Sequence, residues 1–419
     1  AGKGFDDMAR LGKLIGKAKI VALGEATHGS REFFQFKHRM LEFLVREMGF
    51  TVFAIEASAS ACLNINDYVM GRTDSGAAAL DSQGYWTWNT VEVMDMINWM
   101  RAYNRSVTVE RRVSFVGIDM QVNAEAYKRL ITYLYRVDSE LAIRMDSLPR
   151  PWGVRREHYD NSIEGISSLA FDADSASSSM LHFATMRKQY ASGLHEMTLR
   201  ADDMVARSSM SEFDTAFFHL SILNQYIDAF APDAKPGVRD QYLADNLARY
   251  VRESGPTARV VLWAHNAHIR KGEGQGVKWM GNRLNEKFRD QYYAIGLTFD
   301  QGAFQSRDVG TDGKSQLAEF TIGSAPHHML EWYLASTRRE LFFIDLRNTE
   351  RKSVDVVNWL AAPHYLRSVG STYANELGPT FVEYIPSRDF DGLVFIRRTS
   401  RARPNSSVSN VRTTQRVDN

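Results

Sequence analysis

Seven short stretches of the chain are mostly apolar at successive positions rather than at alternate ones. They are residues 19–25 (KIVALGE), 51–57 (TVFAIEA), 113–119 (VSFVGID), 259–265 (RVVLWAH), 292–300 (YYAIGLTFD), 341–347 (LFFIDLR) and 391–398 (DGLVFIRR). Rich in β-branched and aromatic side chains, they read as strands covered on both faces. Between the first two, Phe33, Phe36, Met40, Leu44 and Met48 recur at helical spacing, with Ser30 as N-cap and Gly49 as stop. Strand, helix, strand is a βαβ unit, and a second helical pattern over residues 90–104 precedes the third strand in the same way. The predicted fold class is therefore α/β, a mostly parallel sheet with helices on both faces.

Residues 121–250 carry no strand pattern and several helical ones, among them AEAYKRLITYLYRV and FDTAFFHLSILNQYIDAF, and read as a helical insertion or cap. Within them, residues 171–180 (FDADSASSSM) lack apolar periodicity and read as a loop or a helix start. The expected organisation is residues 1–120 as the first part of an α/β catalytic domain, 121–250 as the insertion and 251–400 as the second part. Residues 401–419, polar and basic, are expected to form a disordered tail.

Composition narrows the function. In a chain of 419 residues, 44% hydrophobic residues and 11% aromatics are those of a globular protein that buries a sizeable core. No apolar run approaches the roughly 20 residues of a membrane helix, so no membrane span is expected. Lys+Arg 51 against Asp+Glu 50 leaves no global field for nucleic acid, so the expected partner is a small molecule. The single Cys62 rules out an internal disulfide and a thiolate metal cluster. The expected compartment is the cytoplasm; secretion or the periplasm is the alternative, because the chain begins at Ala1 without an initiator Met.

Glu25, Glu56, Asp119, His265, Asp300 and Asp345 each stand at the carboxyl end of a predicted strand, the edge where parallel α/β folds bind ligands. Any one of them alone is more simply the N-cap of the next helix. Glu25 fits that role less well, because His28 follows at once, with Gly24 and Gly29 allowing a tight turn or close backbone approach to a ligand. His265 and His268 stand three apart in WAHNAHI, followed by a glycine-rich loop that lacks a phosphate-loop ending and reads as mobile. Neither a G-x-S-x-G elbow nor an H-E-x-x-H motif is present. Water activated by histidine, with no cofactor, is one chemistry that fits; zinc or manganese held by Glu25, His28, Glu56 and His265 is the other. Trp86 and Trp88, in a loop before a helix, are candidates to line a substrate site. Arg239 opposes the dipole of the helix it opens, which marks it for anion or carbonyl recognition.

These residues resemble the erythromycin esterase family and its broader homologues, some labelled succinoglycan biosynthesis proteins. The resemblance rests on GEATHG, FKHRMLEFLVREMGF, FAIEAS, YWTWNTVEVMDMINWMRAYN, FVGIDMQ, VRDQYLADN, WAHNAHI and FDGLVFIRR, which together span about residues 20 to 400. It implies hydrolysis of a carboxylic ester or macrolactone by water without a covalent serine intermediate. His28 would be the general base, Glu25 and Glu56 the carboxylates that orient it or the water, and His265 or His268 the downstream histidine, with His265 favoured at the strand end. Asp119, Arg239 and the two tryptophans are the expected substrate-binding residues, and Lys37 or Arg39 is placed to reach the site from the first helix. The substrate would lie between the strand ends and the helical block.

Overall fold

All seven stretches form strands: β1 Ile20–Leu23, β2 Val52–Ser58, β3 Ser114–Asp119, β4 Val260–Trp263, β5 Tyr292–Val309, β7 Leu341–Asp345 and β11 Gly392–Thr399. The structure is a computed structural model that describes residues 4–151, 173–274, 276–309, 315–347, 352–374, 380–405 and 412–413. β3, β2, β4, β1 and β5 lie side by side and all pair in parallel. β11 extends the parallel set on the middle of β5, and β7 closes that edge antiparallel to β11. A mixed, mostly parallel α/β fold results.

The strands without an apolar run are β6 Ser315–Ile322, β8 His364–Arg367, β9 Thr372–Tyr373, β10 Phe381–Tyr384 and β12 Arg412–Thr413. β6 buries Ala318, Phe320 and Ile322 at every second position and pairs antiparallel with Gly302–Val309 of β5. That is the alternating signature of a ladder with one covered face. The far half of β5 escapes a hydrophobic reading because it buries polar side chains, Gln305, Ser306 and Arg307.

Alternation in β1 explains the layers. Ile20 and Ala22 face one core with Val52, Ala54, Val260 and Leu262, while Val21 and Leu23 face the other with Phe53, Ile55, Val261 and Trp263. The helix Arg31–Met48 starts after Ser30, whose hydroxyl bonds Thr27 rather than capping the helix, is closed by the left-handed Gly49, and buries Phe33, Phe34, Met40, Leu41, Phe43, Leu44 and Val45 in the second core. Each such side chain contributes roughly 1.5–3 kcal/mol. The other face is covered by helices Ala124–Val137, Met210–Phe230 and Val238–Glu253. Between β3 and β4 no described residue is in a strand, and these helices share one core with the sheet. A helix Ala173–Leu199 begins within the FDADSASSSM stretch, whose first two residues lie outside the described ones.

At the other end of the chain, Arg401–Asn405 are packed rather than trailing. Ala402 is buried and its N–H donates to Gly29 O at 2.9 Å, so backbone bonds, which leave no periodicity in the sequence, hold a segment expected to be a tail. Residues 406–411 and 414–419 lie outside the described residues. Among the described residues no helix is long and apolar enough to cross a membrane.

Candidate active site

β1 delivers its chain end to the sheet's carboxyl edge, where Glu25 is fully buried and His28 stands partly exposed three residues on. His28 Nδ1–H donates to Glu25 Oε1 at 2.7 Å, while Lys37 Nζ (2.7 Å) and Trp263 Nε1–H (2.9 Å) donate to Oε2. Burial pushes the Glu25 carboxyl up, but Lys37 and His28 outweigh it and hold it below its ordinary range. Lys37, equally buried with its ammonium 4.4 Å over the Trp263 ring, is pushed down to about 8 by burial in spite of Glu25. At neutral pH the two form an ion pair, and the carboxylate fixes the His28 tautomer so that Nε2 carries the lone pair. The glycines serve packing: a Cβ at Gly24 would stand 2.1 Å from Asn266 Oδ1, and one at Gly29 1.9 Å from the Gln305 carbonyl oxygen. The close approach they permit is within the protein.

A second carboxylate group lies beside the first. Glu56 Oε2 accepts the His265 backbone N–H at 3.0 Å and Oε1 accepts from Arg239 Nη2 at 2.9 Å. Arg239 also forks onto Asp119, Nη2 to Oδ2 at 2.6 Å and Nε to Oδ1 at 3.3 Å, and Tyr85 Oη–H donates to Oδ2 at 3.2 Å. His268 Nδ1–H donates to Asp240 Oδ1 at 2.7 Å. Its Nε2 lies 3.2 Å from Arg239 Nη1 and 3.3 Å from Glu56 Oε1, so it accepts from arginine when neutral and donates to glutamate when protonated. Burial lowers the His268 imidazolium, but Asp240 and Glu56 prevail and raise it. Glu56, pushed up by burial, is held well below the carboxylate range by His268 and Arg239.

His265 stands beside His28, ring centroids 5.1 Å apart. It is the N-cap of Asn266–Ile269, its Nδ1 accepting the Ala267 N–H at 3.2 Å. The ring proton therefore sits on Nε2, a buried atom with no protein partner. Burial, then the neighbouring His28 and His268, push its pKa down to about 3, so this imidazole is neutral. Trp88 and His28 pack edge-to-face with ring centroids 5.5 Å apart, and Trp88 donates Nε1–H to Glu56 O at 3.0 Å.

Glu25, His28, Glu56, Trp88, Arg239, His265 and His268 thus gather at one place. Two of the six strand ends do not join them. Asp300 accepts the Ala325 N–H, and Asp345 ends a strand that runs against the parallel set. Lys37 and Asp119, expected on the substrate wall, are wholly buried, bonded to Glu25 and Arg239 respectively, and act beneath it. Trp86 is buried and Arg39 pairs with Asp7 at the surface. Sequence reasoning missed Trp263, Tyr85 and the bond of Asp240 to His268. It did hold a signal for Lys37, a charge one turn from Phe33 and Leu41 on the helix's apolar stripe. The glycine-rich loop is tethered, Lys271 N–H donating to Asp389 O and its Nζ to Asp391. Among the described residues no group of three or more His, Cys, Asp or Glu side chains is arranged to hold a metal ion.

Three histidines are held neutral: the buried His265 and His219, at about 3, and the half-buried His38, at about 4, burial being the main cause in each. Their folded values lie below the unfolded one, so between about pH 6.5 and 5 the unfolded chain binds more protons and stability falls as pH falls. The slope grows from about 2 kcal/mol per pH unit near pH 6.5 to about 4 near pH 5, where the unfolded chain holds close to three more protons. His268, raised by Asp240 and Glu56, acts the other way. Urea unfolding at pH 7, 6 and 5 is expected to show that fall, reduced by about a third in His219→Gln; a flat profile contradicts it.

The chain matches the erythromycin esterase family over residues 45–399. It is 24% identical over 323 residues to erythromycin esterase type II of Escherichia coli, covering 71% of this chain and 73% of that protein. A solved structure of a succinoglycan biosynthesis protein superposes with a TM-score of 0.74 at 24% identity, covering 96% of this chain and 94% of the other. A mutant of the erythromycin esterase EreC in its open conformation superposes with a TM-score of 0.69 at 18% identity, covering 97% and 96%. With most of its length matched by the family, the chain belongs to the erythromycin esterases, a family of hydrolases.

Proposed function

We propose that this protein hydrolyses a carboxylic ester, a macrolactone among the candidates, by direct attack of water activated by His28. The observation that carries the reading is the pair of imidazoles in opposite roles. His28, its Nδ1–H given to Glu25, has a basic Nε2; His265, its Nδ1 occupied by a backbone N–H, has a donor Nε2–H with no protein partner. A water between them loses its proton to His28 as its oxygen bonds to the carbonyl carbon. The carbonyl oxygen, taking the electron pair, accepts from His265 Nε2–H and the Arg239 guanidinium. As the carbon–alkoxide bond breaks, His28 returns the proton to the leaving alcohol, and the products are a carboxylic acid and an alcohol.

A metal-free reaction is part of the proposal. What supports it is that Glu25 and Glu56 already spend their oxygens on Lys37, His28, Trp263, Arg239 and the His265 N–H. Mass spectrometry of erythromycin and of simple aryl and alkyl esters, incubated with native and chelator-treated protein, is expected to show addition of one water in both samples. Loss on chelation, with stoichiometric zinc or manganese in the native protein, would instead favour a metal-dependent enzyme acting on an envelope or exopolysaccharide substrate.

A further inference from the structure

After β11 the chain crosses the two loops that carry His28 and Trp88, and it bonds to both. The Arg31 N–H donates to Ser400 O at 2.9 Å, and Ala402 N–H donates to Gly29 O at 2.9 Å, a carbonyl that also accepts from Gln305 N–H at 3.1 Å. Further on, Val91 N–H donates to Arg403 O at 2.8 Å and Asn405 N–H to Asn89 O at 3.1 Å. Two carboxylates lock the crossing. Glu32 accepts the Ser400 N–H (2.6 Å) and hydroxyl (2.5 Å), one on each oxygen. Glu92 accepts the Arg403 N–H (3.0 Å) and Nε–H (2.8 Å), again one on each.

The placement is specific. Glu32 lies in the first turn of the helix that follows His28, and Glu92 in the first turn of the helix that follows Trp88. A carboxylate there ordinarily needs only the helix dipole; both of these instead bind backbone of the same six-residue segment. With the Gly29 carbonyl gripped from two sides, the peptide beside His28 is fixed, and the side chain alone is left for Glu25 to orient.

We propose that Ser400–Asn405 is a clasp that holds His28 in register with Glu25 and with Trp88, and that Glu32 and Glu92 are its positioning residues. Its kinetic consequence rests on the proposed ester hydrolysis; its structural consequence does not. The test compares Glu32→Ala/Glu92→Ala, each single alanine variant, and Glu32→Gln/Glu92→Gln, which keeps an acceptor oxygen at each lock. One readout is the proton resonance of His28 Nδ1–H, assigned by its loss in His28→Asn. The other is kcat and KM on an ester the native protein cleaves. Opening the clasp is expected to broaden or erase the resonance and lower kcat about 10- to 100-fold with KM within about twofold, with substantial recovery in the glutamine pair. If the double variant fails to fold, the single variants, each retaining one lock, are read the same way. A folded alanine variant with a sharp, native resonance would overturn the clasp, whatever its melting temperature. Absence of ester hydrolysis in native protein would instead remove the proposed function and leave the resonance to decide.

Discussion

Asparagine in place of His28 is expected to lower kcat for ester hydrolysis by about 10²- to 10⁴-fold, the usual worth of a positioned general base, while leaving the fold intact. The asparagine amide can still donate to Glu25, so the buried carboxylate keeps its partners, but nothing replaces the Nε2 lone pair. The His28 side chain is 11% exposed, so it is not part of the sealed core. A urea midpoint close to native together with the loss of turnover is the expected pair of results. A folded variant that keeps a tenth or more of the native kcat contradicts the assignment.

The second large effect concerns stability. Lys37 and Glu25 are both fully buried, and among the described residues their 2.7 Å contact brings the only full positive charge to that carboxylate besides what His28 supplies when protonated. Removing one partner of a buried pair leaves the other charge without compensation, at a cost of roughly 3–5 kcal/mol. Lys37→Met is therefore expected to lose that much in urea unfolding at pH 7. Lys37→Met/Glu25→Gln should regain most of the loss, since a neutral amide leaves no orphan charge. The double variant stays catalytically impaired, because Glu25→Gln removes the carboxylate that orients His28. If Lys37→Met unfolds like the native chain, the pair does not hold Glu25 ionised as described.

These two expectations differ in how far the sequence foretold them. The β1 turn was legible, because an apolar run ending in Glu25 and His28 is a local signal, as are His265 at the end of β4 and Glu56 at the end of β2. Contacts made across the chain were not. Arg239 reaches Asp119 over 120 residues and Trp263 reaches Glu25 over 238, distances at which no spacing rule operates. Lys37 was expected to reach the substrate from the first helix, although its place on the apolar stripe required a buried partner. The antiparallel β6 hid in an alternating pattern, and the clasp hid in backbone bonds that any sequence could make. His265 and His268, indistinguishable as a spaced pair, separate in the structure. One caps a short helix and keeps a buried Nε2–H without a partner among the described residues; the other is fixed between Asp240 and Glu56.

The central claim is that water, activated by His28, attacks the ester directly. Its most direct test is a single-turnover reaction in ¹⁸O-water with enzyme in excess over the ester, under chelation, followed by mass spectrometry of product and protein. Direct attack predicts one ¹⁸O in the product carboxylate and none in Glu25 or Glu56. Unlabelled product with ¹⁸O in a protein carboxylate would reveal a covalent acyl-enzyme and contradict the account.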